Sequence, residues 1–586
     1  MKKIFIALTA ACAALAFTGC EGMLDNPQKG VISLDDFYQT DKDAQSALVN
    51  VYYNAGRFLS NTMGTEAGWN ECPLLNPFEY ASDDIFSSGE NKADGVEGNQ
   101  INAFWYDNTN TVLTGSYHCY YMIINTCNQL LDHFAESADS EIKRQCVAEA
   151  RVMRAYMHLM LAMGWCNPPL VDHVLGPEDR PGNVESQAYL LQWIADECDK
   201  ALPDLKSRSQ VEAQEGAHPG AGAVRITTGF CNAIKAKALM FKATAHNASE
   251  DKSAYAQAKA ALWAIIDSGE YELVKPDKLA SLYHKSGDGS KEAVFELNLV
   301  HGSAVTGFYQ RTQPNFKMLW GWRSSRITLP NGPGTELPGE GPWGWCNPSK
   351  KFVDTILEHD GYDSARRKAW IKSYDEILYE MPYANDATVE DKTKDKNRGI
   401  FDADGVYGNV GYFMWKRLYR VEDRTPDANV EWNLLVMRYA EVLLMYAECC
   451  AQTGTDLDKG LQYLNDIQNR AQSKHKSTAC TLDEVKTEKF LECWLEGSRF
   501  PDLVRWGDAQ KELADNGKWL PKYRDGLFQS DAQYKTDVHH GYIDESDANW
   551  CVLAHPNMGF DINKHKYFPI PYNNRLVNPN VKNWNE

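Results

Sequence analysis

Helical spacing of apolar residues is the dominant pattern along the chain. Between positions 433 and 453 the apolar side chains recur at helical steps, at Leu435, Tyr439, Val442, Tyr446 and Cys449. Gly454 then predicts the end of this helix, and Asp456 predicts the start of another. The second helix places four apolar residues on one face: Leu457, Leu461, Leu464 and Ala471. Two helices joined by so short a turn form a helical hairpin, the unit that tetratricopeptide-like repeats stack.

Two further helical hairpins are predicted upstream. In the first, residues 117–134 pair with 141–163, and in the second, residues 228–245 pair with 255–266. The spacing between the pairs is irregular, so the pattern indicates helical hairpins rather than a regular repeat. The predicted fold class is therefore mainly α, with tetratricopeptide-like hairpins.

Long irregular segments interrupt the helical pattern at 60–115, at 300–350 and at about 515–563. Breaker clusters of Gly and Pro at 331–334 and 338–342 predict turns in the second of them. Segments of this kind in a compact protein are usually either functional or disordered. The tryptophans that they contain argue against disorder. We therefore predict long, ordered loops that carry the function.

The chain has no stretch poor enough in apolar residues to demand a linker between separate domains. We predict a single large domain over 20–586. Its N-terminal part covers about 20–300 and its C-terminal part about 301–586.

The first twenty residues have the pattern of a lipoprotein signal peptide. Lys2 and Lys3 precede an apolar run over 4–17, and a small-residue pair then leads to Cys20. We predict cleavage after residue 19 and acylation of Cys20, which would anchor the mature chain to a membrane. The alternative is an ordinary secretory signal with a chance cysteine. No later apolar stretch is long enough for a transmembrane helix.

Charge and cysteine usage exclude some classes of function. The formal net charge is -20, and no Lys/Arg cluster stands out, so binding to nucleic acid is not predicted. Apart from Cys12 and Cys20, the cysteines are scattered without CxxC spacing. Cys127, Cys198 and the pair 449–450 lie in helical apolar patterns, which favours small buried hydrophobic residues over a zinc site or a disulfide framework. One or two disulfides remain open for an exported protein.

Enzyme motifs are missing from the sequence: it contains no HExxH, no Walker-type glycine loop and no GxSxG. The strongest acidic series is Glu488, Glu492 and Glu496, spaced by four residues. We predict that these glutamates share a helix face and form structural ion pairs with Arg499 and Arg505. No catalytic residue is predicted.

No metal site or cofactor is predicted either. Asp402, Asp404 and Gly405 resemble the start of a calcium loop, but the closing glutamate is missing. His539 and His540 have no partner at ligand spacing.

The tryptophans offer a sharper hypothesis. Trp-Gly-Trp occurs twice, at 320–322 and 343–345, and Trp105 is followed by Asp107 and Asn108. Sugar rings stack their C–H faces on indoles, while their hydroxyls bond to polar side chains; glycine between two indoles permits close approach of a ligand. The alternative is that these indoles fill the core beneath the loops. The predicted ligand-binding residues are Trp69, Asp83, Trp105, Asn108, Trp320, Trp322, Trp343 and Trp345.

An ordered series of short segments runs nearly end to end along the chain. It includes Ala-Glu-Ala-Arg at 148–151, Arg-Ala-Tyr at 154–156, Arg-Tyr-Ala-Glu-Val at 438–442, Glu-Gly-Ser-Arg at 496–499 and Phe-Pro-Ile-Pro at 568–571. The series resembles the SusD/RagB family of outer-membrane nutrient-binding lipoproteins of the Bacteroidetes. Among the departures, Lys489 stands where an Arg is common. The acidic tract that often follows the lipidated cysteine is reduced to Glu21 and Asp25.

This resemblance implies a SusD-like fold whose tetratricopeptide-like hairpins dock a SusC-like TonB-dependent barrel. It also implies an outer-membrane location facing the cell exterior, no catalytic residues and no cofactor. The family's W-x-x-N pair maps onto Trp105 and Asn108. Members bind oligosaccharides most often and peptides in some branches.

Four hypotheses follow from the sequence. The leading one is a glycan-capturing lid for an import barrel, which works by binding alone. The alternatives are a peptide-binding protein, a glycoside-active enzyme on the same scaffold, and a structural lid without ligand affinity.

Overall fold

A computed structural model of the protein describes the residues 37–60, 70–87, 95–299, 319–321, 327–328, 343–373, 376, 400–401, 412–418, 423, 432–518 and 558–586. Several predicted features lie outside these residues: the signal peptide, Cys20, Trp69, Trp322, the Asp402–Gly405 turn and the 539–540 histidines. The described part is mostly helical, which confirms the predicted fold class.

The N-terminal half is built from helices with one short strand. Its helices are α1 (Asp41–Ser60), α2 (Asn76–Tyr80), α3 (Val96–Asn102), α4 (Thr111–Phe134), α5 (Glu141–Trp165), α6 (Gln187–Ala201), α7 (Arg208–Glu212), α8 (Thr228–Lys242) and α9 (Lys252–Asp267). Short 3₁₀ turns lie at Leu202–Asp204, Pro276–Ser281 and Lys285–Gly287. Strand β1 (Ile85–Phe86) lies between α2 and α3.

The C-terminal half mixes helices with short strands. The strands are β2 (Ala293–Leu297), β3 (Ile327–Thr328), β4 (Asn347–Pro348), β5 (Ile371–Ser373), β6 (Ile400–Phe401), β7 (Tyr412–Met414) and β8 (Leu434–Arg438). The helices are α10 (Lys350–His359), α11 (Ala365–Trp370), α12 (Tyr439–Thr453), α13 (Leu457–Arg470), α14 (Leu482–Glu492), α15 (Arg499–Trp506), α16 (Ala509–Leu513), α17 (Ile562–His565) and α18 (Tyr572–Val577). The strands form antiparallel pairs: β1 with β4, β2 with β8, β3 with β6 and β5 with β7.

The long helices form one continuous layer, in which each helix packs on the next. The order of packing is α1, α4, α5, α6, α8, α9, α12 and α13. Their inward faces are apolar and fully buried, as helical spacing requires. The hairpins predicted from the sequence (α4 with α5, α8 with α9, and α12 with α13) are therefore confirmed.

Local sequence signals set where these helices begin. The Asn110 side chain accepts hydrogen bonds from the N–H groups of Val112 and Leu113, which caps α4. Ser140 caps α5 in the same way through the N–H of Lys143. The predicted start of the first hairpin at 117 was therefore late, because the polar residues of the first turn of α4 hide its helical period.

The hairpin of α12 and α13 needs one correction. Gly454 ends α12 in the left-handed conformation (φ 66°), as predicted. Residues 434–438, however, form strand β8 rather than the first turn of α12. Leu434 and Leu435 pair with Leu297 and Glu296 of β2. A short apolar run fits a strand and a helix equally well, and only the distant β2 decides between them.

The acidic series forms buried ion pairs, as predicted, but with different partners. Glu488 and Glu492 lie on α14, whereas the helix ends at Glu492 and Glu496 follows in a turn. Arg366, Arg438 and Arg470 converge on Glu492 from α11, β8 and α13. We call Glu492 and these three arginines the ionic hub.

The two arginines predicted as partners bind elsewhere. Arg505 pairs with Glu448 and Asp502, and Arg499 pairs with Asp83. Lys489, the departure noted in the sequence, pairs with Asp502 at 2.5 Å.

The C-terminal segment returns to the N-terminal half. The N–H of Phe568 donates to the carbonyl of Gly164 at 2.7 Å, and Trp165 Nε1 donates to the carbonyl of Pro569 at 3.0 Å. The Phe-Pro-Ile-Pro segment therefore closes on the end of α5. This closure fixes the loop around Trp105 as well, because the Tyr572 N–H donates to the carbonyl of Asn108.

Every cysteine that the structure describes is buried and unbridged. This agrees with their interpretation as small apolar residues. Within the same residues, no helix is both long and apolar enough to cross a membrane.

Candidate functional site

The two Trp-Gly-Trp segments meet in space. The N–H of Gly321 donates to the carbonyl of Trp345 at 2.9 Å, and the N–H of Trp345 donates to the carbonyl of Leu319 at 2.8 Å. These bonds form a parallel bridge between Trp320 and Trp345. Both central glycines have positive φ angles, 121° at Gly321 and 101° at Gly344, which residues with a side chain rarely adopt. The motif thus serves to join two loops through their backbones.

Asn347 braces this junction, and sequence reasoning missed it. Its Nδ2 donates to the carbonyls of Gly321 and Gly344, at 2.7 and 2.8 Å. Its Oδ1 accepts from the N–H of Met414 on β7 at 3.1 Å. A buried amide that satisfies three backbone groups fixes both glycines at once. No motif marks such an asparagine, because its partners lie on separate segments.

Helix α3 brings Trp105 to the same region. A Cβ on Gly95, the residue just before α3, would lie only 2.8 Å from Cζ2 of Trp345. Five residues later, the carbonyl of Gln100 accepts from the N–H of Trp105 at 3.0 Å. The rise along that helix is about 8 Å. The loop of Trp105 and the joined Trp-Gly-Trp segments therefore lie on opposite ends of one short helix.

Exposure separates the predicted tryptophans into two groups. Trp343 is 38% exposed, and Trp105 and Asn108 are half-buried. Trp320 is fully buried, and Trp345 is only 6% exposed. The two buried indoles support the loops, which corrects the prediction that Trp320 and Trp345 contact ligand directly. We call Trp105, Trp343 and Asn108 the aromatic platform.

Asp83 has a structural environment. Arg499 Nε donates to its Oδ1 at 2.7 Å, and both Arg499 and Lys351 bind its Oδ2. Burial raises the pKa of Asp83, but these cations outweigh burial and hold the pKa at about 2. The Asp83 side chain is buried, and its contacts join the segment before β1 to α10 and α15. This corrects the expectation that the Asp83 side chain is available to a ligand.

A group of buried acids lies beneath the platform. Tyr80 donates to Glu71. Asp84 accepts from Ser82 at 2.5 Å. Burial raises the pKa of Glu71 and of Asp84 to about 7, and Asp83 adds to the rise at Asp84. These acids are protonated under mildly acidic conditions.

The buried acids predict a pH dependence of stability. The pKa of Glu71 is about 7 when folded and 4.5 when unfolded, so its stabilising contribution is complete below pH 4.5 and is lost as pH rises to 7. The difference between these two pKa values corresponds to about 3 kcal/mol of unfolding free energy, at about 1.4 kcal/mol per pKa unit. We expect the wild-type thermal midpoint to fall between pH 5 and pH 8, and Glu71→Gln to flatten this slope.

The matched control is Glu178→Gln, which changes an exposed acid in a turn. It should leave the wild-type slope unchanged. Equal slopes for the wild type and Glu71→Gln would contradict this assignment.

Among the residues that the structure describes, no group of three or more His, Cys, Asp or Glu side chains is arranged to hold a metal ion. The exposed groups of the aromatic platform are indoles and an amide, which offer faces for stacking and groups for hydrogen bonds.

Comparison with known proteins places this geometry in a family. A family model described as the SusD family matches residues 291–586. A SusD-like protein of Bacteroides ovatus is 21% identical, over 98% of this chain and 96% of that protein.

Two solved structures share the fold. Surface glycan-binding protein A from Bacteroides thetaiotaomicron in complex with laminarihexaose has a TM-score of 0.66 at 21% identity, covering 94% of this chain and 100% of the other. Surface glycan-binding protein A from Bacteroides fluxus has a TM-score of 0.64 at 22% identity, covering 91% and 96%. At such identities the likeness establishes the fold.

Proposed function

Because the chain belongs to the SusD family, we propose that it is a cell-surface lipoprotein that captures oligosaccharides and delivers them to a SusC-like TonB-dependent transporter. The observation that carries this proposal is the aromatic platform. Two Trp-Gly-Trp segments are joined by backbone bonds, and the indole of Trp343 is exposed beside this junction. Because the backbone is already fixed there, ordering the loop costs little conformational entropy when a ligand binds.

The platform suits a sugar better than a charged ligand. The exposed indole of Trp343 offers a flat apolar face, and Asp107 and Asn108 next to Trp105 offer polar groups for hydroxyls. Solved relatives carry glycans in their names, one of them with laminarihexaose bound. The proposed activity is binding without turnover.

A glycan array run beside a peptide pool tests the proposed ligand class. We expect the purified chain to bind at least one family of neutral oligosaccharides and to release it unchanged. Binding confined to the peptide pool would overturn the proposal in favour of the peptide-binding alternative. Cleavage of a bound glycan would overturn it in favour of an enzyme.

The proposed partner rests on the family resemblance, which implies that the helical hairpins dock a SusC-like barrel. The helices from α1 to α13 pack in one continuous layer, and acylation of Cys20 would tether the chain beside the transporter. Detergent extraction from native membranes should recover the chain with a TonB-dependent barrel, and Cys20→Ala should release it into the soluble fraction. Recovery of the wild type without any barrel would contradict the delivery role.

A further inference from the structure

A second cleft lies apart from the tryptophans, between α10, α14 and α16. Its volume is about 330 Å³. This size falls at the lower end of the range of small-molecule sites. It is bounded by Lys351 and Thr355 of α10, Lys486 and Thr487 of α14, and the segment 508–512. We call it the lysine cleft.

Paired charges form the walls of the lysine cleft. Lys486 Nζ donates to Asp508 Oδ2 at 2.5 Å, and Lys511 Nζ lies 2.9 Å from Glu512 Oε1. Lys351 binds Glu512 on one side and Asp83 on the other. Cations and carboxylates therefore alternate around the cleft, so its lining has almost no net charge despite the net charge of -20 on the chain.

Such pairs have hydrogen-bonding capacity left over. An ammonium group carries three N–H donors and a carboxylate accepts about four hydrogen bonds. Among the contacts of the described side chains, Asp508 uses one donor of Lys486. A ligand hydroxyl both donates and accepts, so it can bond to the carboxylate and the ammonium of one pair. A fully charged ligand would instead meet repulsion from one member of every pair.

The floor of the cleft is apolar and rigid. Phe490 is 6% exposed, and its ring centroid lies 4.5 Å from the Arg499 guanidinium and 5.8 Å from the Lys351 ammonium. Asp83 binds both cations. These contacts hold the Phe490 side of the cleft in place without a ligand, which lowers the entropic cost of binding.

We propose that the lysine cleft is an accessory subsite for one neutral sugar unit of a long glycan whose other units lie on the aromatic platform. This rests on the proposed function. The two sites are close enough for one chain, because Trp343 and Lys351 are eight residues apart and thus at most about 29 Å. Strand β4 and the contact of Ser349 Oγ with the carbonyl of Asp83 connect them rigidly.

The test uses variants that remove one member of a wall pair. Lys486→Met keeps the aliphatic stem against Trp506, and Asp508→Asn keeps the shape of the carboxylate. The matched control is Lys350→Met, which breaks the exposed Lys350–Asp354 pair of α10, outside the cleft. Thermal midpoints of all three should stay close to the wild type, since each pair is partly exposed.

Native affinity electrophoresis in gels cast with laminarin, starch, xylan or pectin measures binding to long chains. Titration with disaccharides of the retarding polymer, which are too short to reach both sites, measures the platform alone. We expect Lys486→Met and Asp508→Asn to lose about 10-fold in affinity for the polymer, the effect of one hydrogen bond to a charged group. The disaccharide affinity should stay at the wild-type value, and Lys350→Met should match the wild type in both assays.

If the polymer retards both cleft variants as strongly as it retards Lys350→Met, the subsite is overturned and the proposed function stays intact. Retardation of the wild type by acidic pectin alone would overturn the neutral ligand class. A wild type that no polymer retards and no glycan array captures would overturn the subsite together with the proposed function.

Discussion

Trp343→Ala is expected to lower the affinity for an array-positive oligosaccharide by about 30-fold, equivalent to about 2 kcal/mol, the usual cost of truncating a central aromatic contact. The side chain is exposed, so its removal leaves the core intact. Trp105→Ala should lower the affinity in the same direction. Isothermal titration calorimetry measures both, and the thermal midpoint verifies that each variant is folded.

The control for this prediction is a tryptophan of similar burial on the helical layer. Trp263 of α9 is half-buried, contacts Tyr446 and lies 3.7 Å below the Lys459 ammonium. Trp263→Ala should leave the affinity unchanged. Wild-type affinity in both Trp343→Ala and Trp105→Ala, or an equal loss in Trp263→Ala, would contradict the role of the aromatic platform.

Glu492→Ala is expected to destabilise the protein by about 3–5 kcal/mol, because three buried arginines lose the carboxylate that they share. Glu492 and its three arginine partners are all buried. Arg438 Nη1 lies 2.5 Å from Glu492 Oε1, and Arg366 Nη1 lies 3.0 Å from Oε2. Although burial raises the pKa of Glu492, the arginines outweigh it and depress the pKa far below its usual range. Urea denaturation followed by circular dichroism measures the free energy of unfolding.

A surface ion pair provides the comparison. Arg144 pairs with Asp204 at 3.2 Å, and both side chains are more than a third exposed. Arg144→Ala should therefore change the free energy of unfolding by less than about 1 kcal/mol. Equal losses in Arg144→Ala and Glu492→Ala would contradict a structural role for the ionic hub.

The helical hairpins could be predicted because their signal is local. The apolar period over 439–453 and the stop at Gly454 need no knowledge of distant residues, and both are confirmed for α12. The strand β8 could not be predicted, because its helix-like apolar run becomes a strand only through pairing with β2, more than a hundred residues earlier. The partners in the ionic hub could not be predicted for the same reason. The spacing predicted that Glu488 and Glu492 share a helix face, but Arg366 and Arg438 come from elements that no local pattern connects to α14.

The candidate site could also be predicted only in part from the sequence. Composition and the repeated Trp-Gly-Trp motif indicated which loops matter, and the structure joins these loops directly. It could not be predicted that the paired indoles Trp320 and Trp345 would be buried while Trp343 stays exposed, since side-chain exposure depends on how two loops meet. Asp83 was selected as a polar group near the loops, but the cations of α10 and α15 that occupy it lie more than 260 residues away in the sequence.

The most direct test of glycan capture is a crystal structure of the protein soaked with its tightest-binding oligosaccharide from the array. The account predicts an intact saccharide with one sugar ring against the exposed face of Trp343 and hydroxyls within hydrogen-bonding distance of the Trp105–Asn108 loop. A saccharide bound at another surface, with the aromatic platform empty, would contradict it.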